Sequence, residues 1–213
     1  MIPRLVLFNQ MPKISLVSGI FLTLCLPACK PKAEPLLPVQ VQQPERLGKY
    51  WEVSDFELVN EKGEPFSLSM MKGKVWVVDF FYSSCPGPCP ALTSRLSEVH
   101  QEFSGDARVG FLSVSSDPEK DTPEVLRAYA TKFKADDRWH FLTGPKGRVY
   151  DLANNGFKLS LKEVPDAPEP ISHSTRLALV DREGWVRGFY EGVGEESSSA
   201  GRRLKEDIEA LLR

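Results

Sequence analysis

Hydrophobic and polar positions change period several times along this chain, and each change marks an element. Phe56-Glu57-Leu58-Val59 and Pro65-Phe66-Ser67-Leu68 flank Asn60-Glu61-Lys62-Gly63. Two short alternating runs around such a turn predict a hairpin. Val75 to Tyr82 is nearly continuous apolar sequence, the pattern of a strand covered on both faces. Asp79 interrupts it, and a carboxylate there needs a partner or a raised pKa. Leu92, Leu96, Val99 and Phe103 then fall on one helical face, which Gly105 stops. Val109 to Val114 is a second buried strand. Asp121-Thr122-Pro123-Glu124 starts a helix, with Thr122 as cap and Val125, Leu126, Tyr129 and Phe133 as its buried face. Trp139 to Leu142 reads as a strand, with a brief helix near Val149 to Ala153. Leu161 to Ser172, with three prolines and several charges, reads as a long loop. Thr175 to Asp181 and Trp185 to Tyr190 are strands about the turn Arg182-Glu183-Gly184. Leu204, Ile208, Leu211 and Leu212 mark a last amphipathic helix. Alternating strands and helices closed by a hairpin predict an α/β domain, a central mixed sheet flanked by helices with an N-terminal hairpin.

The N-terminal part departs from that pattern. Arg4 and Lys13 precede an apolar run from Ile14 to Ala28, and Leu26-Pro27-Ala28-Cys29 sets small residues before a cysteine. Residues 1–29 therefore read as an export signal, with Met11 as an alternative start. The ending resembles a bacterial lipobox, which would make Cys29 the lipidated mature N-terminus. Residues 30–49, with Pro31, Pro35, Pro38 and Pro44, read as an extended tether. Residues 50–213 form the folded domain. It is expected in the bacterial cell envelope, facing the periplasm or the exterior. A net charge of −2 without a basic stripe argues against nucleic acid as a partner.

Loss of the signal removes Cys25, and lipid would occupy Cys29. The mature domain is left with Cys85 and Cys89, four positions apart with Pro86-Gly87-Pro88 between them. They lie where a strand gives way to a helix opened by Pro90. The orphan amides and positive dipole end there favour thiolates, so depressed pKa values are expected. The pair can close to a disulfide or, reduced, grip one soft metal ion. A purely structural disulfide across so few residues removes little unfolded-chain entropy. A reactive pair after the first central strand makes a thioredoxin-like arrangement the leading candidate. Of the three histidines, His100 is expected at the surface of the helix after the cysteines and His140 as a packing residue. His173 is expected at a loop-to-strand junction. Asp117 and Asp121 read as turn and helix-capping residues, and Asp79 as a hydrogen-bonded strand residue or a proton-transfer group near the cysteines.

Phe80-Phe81-Tyr82 through Cys85-Pro86 and Cys89-Pro90, then Asp117-Pro118-Glu119-Lys120-Asp121-Thr122, then His173-Ser174-Thr175, resemble the Sco/SenC family of copper-binding thioredoxin-like proteins. The features arrive in the family's order and span roughly residues 50 to 212. The resemblance implies copper, as Cu(I) or Cu(II), held by Cys85, Cys89 and His173. It implies work on the binuclear copper centre of cytochrome c oxidase, by delivering metal or reducing its cysteines. The partner would be the copper-bearing subunit or another copper protein. Gly87 departs from the acidic residue many members carry there and leaves the ligand set intact. Two thiolates and an imidazole suit Cu(I), whereas structural zinc would want a fourth protein ligand. The rival reading is a thiol-disulfide oxidoreductase in which Cys85 and Cys89 are the catalytic redox pair. Dedicated oxidoreductases of this fold use Cys-x-x-Cys, one residue shorter. A thiol peroxidase would have no need of the late histidine.

Overall fold

The computed structural model describes residues 47–167 and 169–213. The expected export signal, Cys29 and the tether up to residue 46 lie outside the described residues. In order, the chain forms β1 (Glu57–Val59), β2 (Pro65–Ser67), α1 (Leu68–Met71), β3 (Val75–Phe81), α2 (Cys89–Glu102) and β4 (Val109–Ser115). There follow α3 (Pro123–Lys132), β5 (Trp139–Leu142), α4 (Lys146–Asp151), a π turn (Leu152–Gly156), β6 (Leu161–Glu163), β7 (Ile171–His173), β8 (Arg176–Val180), β9 (Val186–Glu191) and α5 (Ser197–Leu212).

Five strands make the central sheet in the order β5-β4-β3-β8-β9. β3, β4 and β5 run parallel, and β8 and β9 are added antiparallel, so the sheet is mixed. Every residue of β3 and β4 is buried, which is why both are nearly continuous apolar runs: each must cover two faces. Period-two alternation sorts their side chains. On one face Trp76 and Phe80 meet Phe66 of β2 and Phe157, at ring centroid distances of 5.8 and 5.9 Å. Gly110, opposite Trp76 across the β3–β4 ladder, leaves room for the indole: a Cβ there would stand 2.6 Å from the ring. On the other face Phe81 packs on Tyr129 of α3 and Phe141 of β5, at 4.9 and 5.7 Å. The apolar stripe of α2, Leu92, Leu96, Val99 and Phe103, is buried.

The Thr122 cap of α3 and the β1–β2 hairpin stand as the sequence predicted. Elsewhere the structure corrects the sequence reading. Val125 is 38% exposed, because the apolar face of α3 is carried by Leu126 and Tyr129. The short helix starts earlier, at Lys146, and continues into the π turn. Leu161 to Ser172 is not a plain loop: β6 and β7 pair antiparallel, with Leu161 opposite His173. Prolines and charges hid this hairpin because its strands are three residues long and largely exposed.

Candidate metal centre

The centre is built where β3 ends. After Phe81 the chain turns back on itself, the Cys85 amide donating to the Tyr82 carbonyl at 3.2 Å. α2 begins at Cys89, so Pro90 is its second residue rather than its first. Proline suits either position, since the amide it lacks would have no helical acceptor there. Cys85 is 8% exposed and Cys89 fully buried; both are free thiols.

Asp121 fastens this loop from the side. Its carboxylate accepts from the Ser83 amide at 3.0 Å, from the Ser83 hydroxyl, and from the Ser115 hydroxyl at 2.5 Å. The Ser116 amide donates to the Phe81 carbonyl at 2.6 Å. Asp121 is thus a staple between the cysteine loop and the end of β4, while the capping expected of it is performed by Thr122 alone. Asp117, 8% exposed, fits its expected turn role, accepting from the Asp121 amide at 2.9 Å.

His173 arrives from the far hairpin. Its Nε2 lies 3.0 Å from Sγ of Cys89, and its Nδ1 lies 3.0 Å from the carbonyl oxygen of Ser174. A carbonyl can only accept, so Nδ1 carries the proton. In the neutral ring Nε2 then turns its lone pair toward the sulfurs, the tautomer a metal ligand requires. The Tyr82 ring meets the imidazole edge to face at 5.8 Å. Burial lowers the pKa of His173 and so favours the neutral ring, an effect partly opposed by the Ser174 bond and the charge of Glu169. The ligand atoms of Cys85, Cys89 and His173 all lie within 4.8 Å of one another.

Electrostatics at Cys89 run against the sequence expectation. Burial pushes its thiol pKa up, with Cys85 beside it adding to the effect and the carboxylate of Asp79 contributing further. The helix N-terminus does not outweigh full desolvation of the sulfur. Burial likewise raises the Tyr82 hydroxyl, Cys85 adding to it. Asp79 is wholly buried on β3. It accepts from the Ser113 hydroxyl at 2.5 Å, and burial pushes it up to about 7. Its Oδ2 has no hydrogen-bond partner among the described residues.

The other histidines lie elsewhere. His140 packs on Phe66 and Trp76 at 4.9 and 6.1 Å, as a packing residue should. His100 is buried, not on the surface: its ring meets Phe111 and Trp139, and its Nε2 lies 2.9 Å from Asp136. Asp136, between α3 and β5, supplies a partner for Nε2, while the buried Nδ1 has none among the described residues. Sequence reasoning missed Glu169 altogether. It follows the β6 end of the hairpin, and its carboxylate lies against Gly87 between the two cysteines. No local pattern marks a residue whose significance lies in a contact across more than eighty positions.

Residues 44–209 match the family model described as SCO1/SenC. A SCO1/SenC family lipoprotein from Bacillus anthracis str. Ames superposes with a TM-score of 0.72 at 27% identity, covering 79% of this chain and 99% of that one. BsSco, described as a member of the Sco family of cytochrome c oxidase assembly proteins with a disulfide switch, gives 0.66 at 28% identity, over 76% and 93% of the two chains. ScoI of Bradyrhizobium japonicum, solved with copper bound, gives 0.63 at 24% identity over 76% and 99%, a likeness of fold. The mixed sheet with flanking helices is the thioredoxin-like arrangement of these proteins.

Proposed function

The chain belongs to the SCO1/SenC family, and from that membership we propose that it is a copper-binding protein of cytochrome c oxidase assembly whose ligands are Cys85, Cys89 and His173. One observation carries the ligand assignment: a histidine 84 positions beyond Cys89 brings Nε2 to 3.0 Å from its sulfur, with the tautomer already fixed by Ser174. Two sulfurs and one imidazole nitrogen form a soft donor set that suits Cu(I) and also accepts Cu(II). Copper here is cargo, so the site must release it. Cys85, 8% exposed, and the half-buried His173 are the ligands a partner can approach, while fully buried Cys89 retains hold from beneath. Loading displaces the thiol protons, because thiolates and not thiols are the ligands.

The recipient is proposed to be the copper-bearing subunit of the oxidase or another copper protein. The lipoprotein description of the Bacillus anthracis neighbour supports an extracytoplasmic, membrane-anchored domain. For this chain we assign residues 1–29 as signal, Cys29 as the lipidated residue and 30–49 as tether. No helix among the described residues is long and apolar enough to cross a membrane.

A second reading has its own observation. Both cysteines are reduced and adjacent, and a disulfide between Cys85 and Cys89 would let the same pair reduce a partner's cysteines. The step would transfer two electrons and two protons to the partner's disulfide as Cys85–Cys89 closes. Copper titration of the reduced full-length chain separates the readings. The parent takes up about one copper ion, and His173→Ala weakens this by about a hundredfold while leaving disulfide exchange in place. Unchanged copper affinity in His173→Ala would sink the ligand assignment. Full affinity in Cys89→Ser would make the pair redox machinery alone.

A further inference from the structure

Glu169 comes closer to the cysteine loop than its place in an exposed hairpin loop suggests. A Cβ built on Gly87 would stand 2.2 Å from its Oε1, 2.9 Å from Cδ and 3.2 Å from Oε2. The carboxylate thus occupies the space that any side chain at position 87 would fill. That contact requires glycine for its room, since the backbone at Gly87 is not in the left-handed region. Glu169 also lines, with Pro88, Ala167, Ser172 and His173, a cavity of 250 Å³. No lysine or arginine among the described residues pairs with Glu169. An uncompensated carboxylate therefore stands at the mouth of the candidate centre, outside the group of converging ligand atoms.

We propose that Glu169 is a specificity-determining residue for the oxidation state of the bound copper, holding the site toward Cu(II). This rests on the copper reading given above. The reasoning is charge arithmetic. With two thiolates and a neutral imidazole, the Cu(II) form of the site is neutral overall. Adding one electron from an external reductant, with no accompanying proton, gives Cu(I) and a net charge of −1. A nearby carboxylate opposes that electron and leaves the neutral form almost untouched. In a partly desolvated site one such charge beside the cysteine loop shifts an equilibrium by about tenfold. It acts through space as a positioning charge, not as a ligand.

The test compares the full-length parent with Glu169→Gln, which keeps the shape and removes the charge. The ratio of Cu(I) to Cu(II) affinity, measured by competition with chelators of each ion, rises about tenfold in E169Q. A redox titration with ascorbate as reductant then reads a potential about 59 mV higher for one electron. Glu169→Asp, which retains the charge, stays near the parent. Gly87→Ala, which displaces the carboxylate, moves in the direction of E169Q. An unchanged ratio in E169Q overturns the proposal, and so does an E169D that behaves like E169Q, since the side chain would then act by shape. Should the parent take up no copper, the proposed function falls. The metal-free proteins still decide the electrostatic claim: iodoacetamide alkylates E169Q faster than the parent if the charge reaches the thiols, and equally fast if it does not.

Discussion

Nε2 of His173 and Sγ of Cys89 lie 3.0 Å apart although 84 positions separate them in the chain. Cys89 is fixed by the first turn of α2, and His173 by the last residue of β7. A helix start and a strand end thus set the contact. Metal binding at such a site asks for deprotonation rather than rearrangement. Burial keeps the Cys89 thiol protonated well above its ordinary range and keeps His173 neutral. Apparent copper affinity therefore rises by at least about tenfold per pH unit between pH 6 and 8, one factor of ten for each thiol proton displaced. The imidazole adds less to the slope than a free histidine would, because burial lowers its pKa. Chelator competition across that range measures it; a flat profile would refute thiol protonation as the competitor.

The two sulfurs differ in access, with Cys85 at 8% and Cys89 at 0% exposure. Metal-free, reduced protein should therefore be alkylated at Cys85 at least about tenfold faster than at Cys89, because attack needs both an accessible sulfur and a thiolate. Mass spectrometry of partially labelled protein reads the order directly. Equal labelling would mean that the loop opens on the timescale of the reaction.

Asp121 accepts from three donors, two on Ser83 and one on Ser115. Asp121→Ala strands them in a buried setting and should cost about 3 kcal/mol of stability, with Asp121→Asn milder. Urea unfolding checks the stability. The same variant should weaken copper binding, since Ser83 lies two residues before Cys85. Loss of stability with unchanged copper affinity would show that the loop holds its shape without the staple.

Asp79 supplies a pH-dependent prediction of the opposite kind. Its folded pKa, about 7, lies above the reference value of 3.8. The folded state therefore binds the proton more tightly than the unfolded chain, and stability falls as pH rises from about 4 to 7. Asp79→Asn removes that loss. The variant should gain stability over the parent above pH 7, up to about 4 kcal/mol, and differ little near pH 4. Denaturation at pH 4 and pH 8 separates the two. A variant that is less stable at pH 8 would mean that Ser113 and the Oδ2 environment hold the charged form better than burial penalises it.

Much of the architecture was legible because burial on two faces leaves a linear trace. Val75–Phe81 and Val109–Ser115 can only be apolar throughout if both sides are covered, and α2 shows its inner face as Leu92, Leu96, Val99 and Phe103. Thr122-Pro123 marked a helix start for a local reason, the Thr122 hydroxyl oxygen accepting from the Val125 amide ahead of it. The cysteine pair was legible for the same local reason, its position at a strand-to-helix joint. The β6–β7 hairpin was not, since its pairing depends on partners and not on a burial pattern of its own. His100 was misread because its Nε2 finds its partner in Asp136, which helix periodicity does not reveal.

The sequence by itself determined the strands of the central sheet, helices α2, α3 and α5 and the two sulfurs, each marked by a burial period or a turn signal in the chain. The position of His173 within reach of those sulfurs followed only from the resemblance, and Glu169 against Gly87 followed from nothing local. Tertiary structure decided both, along with the raised pKa values of Cys89 and Asp79. The physical reason is the same in each case. Proximity between distant segments and removal of water are properties of the packed chain, and neither leaves a period in the sequence.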